Sequence, residues 1–205
     1  MCASKSPDPK DIQELIRSLQ SPETDARKSL RKIQKEDWDA CKAAAQTLKE
    51  SGRKDDEKAV INFAQWLFEE AKREWSYKGT EEDVDIRQEE ISAYDRVLEI
   101  NPDHGACLNN QGVTYMQLKE WDKAAECFDR AIKAKPGYFP EMANTSSYYS
   151  ELQTKGWANK AVSLWNGKEF EDALVAAEEA YKHDPSFKGT RDYMQANVPY
   201  RKFTL

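Results

Sequence analysis

Residues 105–136 read GACLNNQGVTYMQLKEWDKAAECFDRAIKAKP, and the spacing within this stretch decides the fold. Leu108, Gly112 and Tyr115 recur at intervals of three and four, and so do Ala124, Phe128 and Ala131. Intervals of that kind place side chains on one face of a helix. Lys119-Glu120-Trp121 lies between the two patterns, and Pro136 ends the unit. Gly112 and Ala124 are small where two antiparallel helices must approach closely. Tyr115 and Phe128 are large where the hairpin must fill space against its neighbours. One such hairpin cannot bury both its faces, so the spacing predicts company on either side.

Both flanks carry related patterns. AYDRVLEINP (93–102) precedes CFDRAIKAKP (127–136) by 34 residues. Tyr94 then aligns with Phe128, Val97 with Ala131, Leu98 with Ile132 and Pro102 with Pro136. Glu90 stands where Ala124 stands in the better unit. The first helix of this upstream unit is the apolar stripe Val60, Phe63, Ala64, Leu67, Phe68, Ala71 and Trp75, within about 55–75, followed by a long turn. Downstream, Trp157, Ala161, Leu164, Ala173, Ala180 and Pro185 repeat the offsets within 154–187, with Ala177 where Phe128 stands. An extra segment, 139–153, contains Tyr148, Tyr149 and Leu152. It is predicted to be helical, either lengthening the next helix or forming one of its own. Thr190 is the expected cap of a short last helix through Ala196.

The N-terminal part reads as further helices. Asp8-Pro9 and Ser21-Pro22 are helix starts, with a polar cap before a proline at the first helical position. Ile12, Leu15, Ile16 and Leu19 stripe the first of these helices, and Ala26, Leu30 and Ile33 the second. Asp37 is the expected cap of a third helix, with Trp38, Cys41, Ala44, Ala45 and Leu48 inward and Gly52 as its stop. Thr80 with Asp83 forms a capping box before a helix carrying Val84, Ile91, Tyr94, Val97 and Leu98.

The offsets in 105–136 resemble the tetratricopeptide repeat, a helix–turn–helix of about 34 residues. Leu108 replaces that family's usual Trp, and Gln111 its usual Leu. The resemblance implies an all-α fold: an α-solenoid of antiparallel helix hairpins wound into a right-handed superhelix. Residues 1–54 are then an N-terminal helical extension, vaguely similar to HEAT hairpins. Residues 55–205 form the repeat domain, with units at 55–104 (degenerate), 105–138 and 154–187 and a C-terminal capping helix. The family's concave face is lined mainly by the first helix of each repeat. One subgroup uses it to hold the acidic C-terminal tails of chaperones in a two-carboxylate clamp of Lys and Asn, then Asn, then Lys and Arg. Lys58 and Asn62, Asn110, and Lys155 match those places, and Asn159 stands where the clamp has Arg.

Composition limits the alternatives. The net charge is −6, with 13 basic against 12 acidic residues in 1–60 and 18 against 25 in 61–205. A duplex nucleic acid is repelled by such a surface, and Lys28-Arg31-Lys32-Lys35 reads as a solvated helix face. There is no apolar run long enough for a membrane span. The four cysteines, Cys2, Cys41, Cys107 and Cys127, lack metal spacing and read as thiols of a reducing compartment, the cytoplasm. His104 and His183 neighbour no nucleophile, and no hydrolase, metalloprotease, nucleotide or calcium motif occurs. Of the six tryptophans, most are expected to pack between helices, with Trp121 covering the end of the central hairpin.

The expectation is therefore a non-catalytic interaction module without cofactor or metal. Its expected partner is a peptide or helix of another protein, held in the concave groove by Lys58, Asn62, Asn110, Lys155 and Asn159. Two alternatives keep the fold: a structural subunit of a permanent assembly, and a co-chaperone of the clamp class.

Overall fold

A computed structural model describes residues 35–76, 84–134 and 145–199. They are helical throughout apart from the connections, and no strand occurs among them. The chain is all-α and divides into two compact units, Met1–His104 and Gly105–Leu205. The expected helices within residues 1–33, the capping box at Thr80–Asp83 and the tail beyond 199 lie outside the described residues.

In the first unit, α1 is Lys35–Glu50, α2 is Lys54–Ser76 and α3 is Val84–Ile100. Trp38, Cys41, Ala44, Ala45 and Leu48 of α1 are buried as their spacing predicts, as is the α2 stripe from Val60 to Ala71. Asp37 does not cap α1. The helix already runs from Lys35, so Asp37 sits inside its first turn. The turn into α2 is secured instead by Asp56, which is buried. Its Oδ2 accepts from Ser51 Oγ at 2.6 Å and from Arg53 Nε at 2.7 Å. A carboxylate in the first turn also suits the positive end of the helix dipole. Gly52 supplies the left-handed conformation the turn requires, with φ +65°. α1 is tied to α3 by polar groups. Trp38 Nε1 donates to Glu99 Oε2 at 2.7 Å, and Lys49 Nζ donates to the Ile100 carbonyl at 2.6 Å. The second bond satisfies one of the carbonyls a helix end leaves without an internal donor.

Ile91, Tyr94, Val97 and Leu98 of α3 are buried, but Val84 is not: it is 64% exposed. Val84 is the first residue of α3 and lies almost a turn before Arg87, where the buried face begins. Glu90, at the place of Ala124, does not leave a gap. It is buried, bound by Arg87 Nη1 at 3.0 Å, and its Oε1 accepts from Tyr94 Oη at 3.2 Å. A paired charge therefore occupies the contact that a methyl group fills in the next unit.

The second unit comprises α4 (Gly105–Gln117), α5 (Trp121–Lys133), α6 (Thr145–Asn166), α7 (Phe170–His183) and α8 (Lys188–Asn197). Each of these helices packs on the next where the connection is described, α5 also packs on α6, and α4 also touches α6. Leu108, Ala124, Phe128 and Ala131 are fully buried. The segment 145–153 is continuous with the next helix, so it lengthens α6 rather than adding a helix. Residues 139–144 of the expected insert lie outside the described part.

The α4–α5 and α6–α7 turns are the same structure. Glu120 N bonds to Tyr115 O at 2.9 Å and Lys119 N to Met116 O at 3.0 Å. Their counterparts are Glu169 N to Leu164 O at 2.8 Å and Lys168 N to Trp165 O at 3.1 Å. This six-to-one and five-to-two pattern closes a helix through one left-handed residue. Here that residue is lysine, at φ 61° for Lys119 and 70° for Lys168.

The third hairpin has Ala161 and Ala177 where the second has Gly112 and Phe128. Ala161 and Ala177 share one apolar cluster with Met194, the one buried residue of α8, and Trp157 and Trp165 pack against it. Thr190 does not start α8. Asp184 does the capping: its carboxylate accepts from Ser186 N at 2.8 Å and opens a short 3-10 turn, Pro185–Phe187. That turn leads directly into α8, which places Thr190 inside its first turn.

Candidate functional site

The candidate residues fall on first helices of hairpins. Lys58 and Asn62 lie one turn apart on α2, and Asn62 is exposed. Asn110 is on α4; Lys155 and Asn159 are one turn apart on α6. Within the second unit the structure brings one pair of amides together. Asn159 Nδ2 lies 3.3 Å from Oδ1 of Asn109, the residue beside Asn110. Both asparagines are half-buried. Lys155 is not drawn to them. Its Nζ pairs with Glu151 Oε1 at 2.6 Å on its own helix, and both side chains are well exposed. An exposed pair of this kind is worth little in stability.

Asn109 was not singled out by sequence spacing. It lies one position before Asn110, and only the packing of α6 on α4 selects it. The contact has clear supports. α4 and α5 meet at Gly112 beneath the Phe128 ring, and α5 and α6 meet where a side-chain carbon on Gly156 would stand 2.9 Å from Ile132 Cγ1. These two close approaches set the distance between α4 and α6. Lys160, next to Asn159, is held away on the α5 side, where its Nζ lies 2.7 Å from Asp129 Oδ1. Lys133 binds the same carboxylate, and the two lysines hold Asp129 below the usual carboxylate range against the opposing effect of burial.

A concavity lies between α7 and α8. It has a volume of about 400 Å³ and is lined by Leu174, Val175, Glu178, Glu179, Arg191 and Gln195 among others. Its charges are internally matched: Arg191 lies 3.6 Å from Glu178, and Lys182 lies 2.6 Å from Glu179. Val175, at its edge, is 60% exposed.

The histidines differ. His183 is exposed at the end of α7. His104 is buried, with its ring 4.9 Å from Phe68 and Nε2 2.9 Å from Gln65 Oε1. Loss of hydration pushes its pKa down to about 4, so the ring is neutral at physiological pH. No group of three metal-ligating side chains occurs among the described residues. Among them, too, no helix is long and apolar enough to cross a membrane. The tryptophans pack as expected where they are described. Trp38 is buried, Trp66 stacks on Phe63 at 6.1 Å, and Trp165 meets Phe170 edge-on at 5.0 Å. Trp121 opens α5, and its Cβ lies 3.4 Å from where a side chain on Gly167 would begin, at the turn of the following hairpin.

Helical hairpins closed by one repeated turn define a helical-repeat protein. Residues 105–138 match the family model described as tetratricopeptide repeat, so this is a helical-repeat protein that carries a tetratricopeptide repeat. Such repeats are protein-interaction modules, characteristically non-catalytic. Comparison with curated proteins gives no match. Among solved structures, one described as "MamA RS-1 ArsTM double mutant" is similar at 14% identity and a TM-score of 0.46. The likeness covers 91% of this chain and 84% of that one.

Proposed function

We propose that the chain binds a peptide or helix of a partner protein on the groove face formed by the first helices of its repeats. The observation that carries this reading is the amide pair Asn109–Asn159, joined across α4 and α6 at 3.3 Å. Half-buried polar groups with unused hydrogen-bonding capacity, on a face between two first helices, suit a polar ligand held along that face. Asn110 and Lys155 flank the pair, and Lys58 and Asn62 are a separate proposed contact on α2 of the first unit. The buried thiols Cys41, Cys107 and Cys127 suit a reducing compartment, and we place the protein in the cytoplasm.

A clamp for acidic tails is the weaker reading. Asn159 occupies the place of its arginine and is engaged with Asn109, and Lys155 is matched by Glu151. Permanent membership of an assembly is favoured by one observation, the lengthened α6 of 22 residues, which adds surface that a repeat does not need. Native affinity purification with mass spectrometry, wild type beside Asn109→Ala/Asn159→Ala, tests the proposal. One or more proteins retained by the wild type and lost from the double variant support it. Retention of the same proteins by both would reject this face as the binding surface.

A further inference from the structure

We infer that the aromatic end of the last hairpin, Trp165 and Phe170 with Tyr193 of α8, is a further docking surface and takes an arginine-bearing segment of a partner protein. It lies apart from the groove face proposed above and does not depend on it. Repetition shows what this end lacks. Trp121 has the turn of the next hairpin against it, its Cβ 3.4 Å from where a side chain on Gly167 would begin. Phe170 holds the same place, one residue after Glu169 as Trp121 is one after Glu120. Among the described residues no further hairpin follows to lie against it. Three rings gather there instead. Phe170 meets Trp165 at 5.0 Å and 74°, and Tyr193 meets Trp165 at 6.2 Å and 56°. Trp165 and Phe170 are half-buried, and Tyr193 is 61% exposed. Accessible Trp and Tyr side chains gathered in one place are the residues that anchor partners.

The same hairpin shows the chemistry of the occupant. The ring of Tyr181 is covered by Arg191, whose guanidinium carbon lies 4.0 Å from the ring centroid. That guanidinium also lies 2.6 Å from Asp192 and 3.6 Å from Glu178. A guanidinium is planar and weakly hydrated, so it stacks on an aromatic face while its N–H groups bind carboxylates. Tyr193 has the ring without the cation: no basic side chain among the described residues lies over it. Carboxylates are at hand. Glu169, Glu171 and Asp172 adjoin Phe170 in the chain, are exposed, and form no ion pair among the described residues. Lys168 is the one basic residue among them, so residues 165–175 carry −2. Acids in a first turn suit the helix dipole by themselves. The rings therefore carry the site, and the acids set the sign of what it takes. An acidic segment is repelled there, and a purely apolar one strips water from carboxylates without replacing it. A lysine ammonium is more strongly hydrated than a guanidinium and stacks less well.

The test is fluorescence anisotropy of a dye-labelled peptide of three arginines separated by glycines, with both ends blocked, on the purified full-length chain. Wild type is expected to bind it, to bind the lysine analogue about fivefold more weakly, and not to bind the glutamate analogue. Tyr193→Ala keeps the net charge and is expected to weaken the arginine peptide about fivefold, the loss of one cation–π contact. Tyr193→Phe is expected to retain it. Glu169→Gln with Glu171→Gln is expected to weaken it and to flatten its dependence on salt. Circular dichroism melts confirm that each variant keeps the fold. Equal affinity of wild type and Tyr193→Ala overturns the inference, as does equal affinity for the lysine peptide or no binding by wild type. These outcomes leave the groove reading standing. Asn109→Ala/Asn159→Ala is expected to bind as wild type does; a loss there would place the peptide in the groove and overturn this surface alone. Tighter binding by Arg201→Ala/Lys202→Ala would assign the site to the chain's own tail, and a dimer in sedimentation equilibrium that Tyr193→Ala dissolves would assign it to a second copy. Either result overturns the partner proposed here.

Discussion

The Cα of Gly112 lies directly against the ring of Phe128: a methyl group on Gly112 would stand 2.7 Å from Cε1 and 2.8 Å from Cζ. The ring is fully buried, so it cannot turn away. Gly112→Ala is therefore expected to cost about 1–3 kcal/mol, the usual range for overpacking a filled core, despite alanine's better helix propensity. Thermal denaturation reads this as a lower Tm. Phe128→Leu in the same chain should relieve part of the clash, so the double variant should lose less than the two single losses together. Simple additivity of the two would mean that the ring does not set the α4–α5 distance.

The buried pair of Arg87 and Glu90 makes a different prediction. Glu90→Ala removes a carboxylate that binds both the buried Arg87 guanidinium and the Tyr94 hydroxyl, at an expected cost of about 1–3 kcal/mol. Replacing both, as Arg87→Met with Glu90→Leu, removes two desolvated charges and is expected to restore most of that stability. Urea denaturation of the three chains measures it. A double variant as unstable as Glu90→Ala would show that Tyr94, which donates to Glu90 Oε1 at 3.2 Å, or another polar neighbour depends on the carboxylate.

Lys119 and Lys168 hold left-handed backbone at φ 61° and 70°, where a β-carbon is strained and glycine is not. Lys119→Gly and Lys168→Gly are each expected to stabilise the protein by about 0.5–1 kcal/mol, net of the extra freedom glycine adds to the unfolded chain. The effects should add, because the turns belong to different hairpins. A fall in Tm for either variant would show that the lysine side chain, not its backbone, matters at that turn.

His104 gives the stability a dependence on pH. Its folded pKa is about 4, against an ordinary 6.5 in the unfolded chain. Between those values the unfolded state binds more protons, so stability falls as pH drops through that window. The contribution is complete above about 6.5 and its loss approaches roughly 3 kcal/mol by about pH 4. His104→Gln removes the titration while keeping a donor for Gln65. Its midpoint urea concentration is expected to fall less between pH 7 and pH 4.5 than that of the wild type, and equal slopes would exclude His104 as the source.

The helices themselves were legible in spacing. Trp38 through Leu48, Val60 through Ala71 and Leu108 through Ala131 mark apolar faces at helical intervals, and all of these faces are buried. Caps are less legible than faces. Asp37 and Thr190 have the residue type of a cap, yet both lie inside helices, while Asp56 and Asp184 secure the turns. A cap depends on where its backbone stops being helical, and many Asp, Ser and Thr residues can fill the place. Lysines at φ above +60° were not predictable at all, because lysine has no preference for that conformation.

By itself the sequence determined that the chain is helical, that one hairpin repeats, and which faces go inward, since these follow from local intervals and from the cost of leaving apolar surface in water. Only the tertiary structure decided what fills the departures from the pattern. Met194 joins the cluster that holds Ala177, Lys160 is paired with Asp129, and Asn159 is joined to Asn109. Each of those partners comes from another helix, at a distance that depends on packing. Offsets along a chain do not carry that distance.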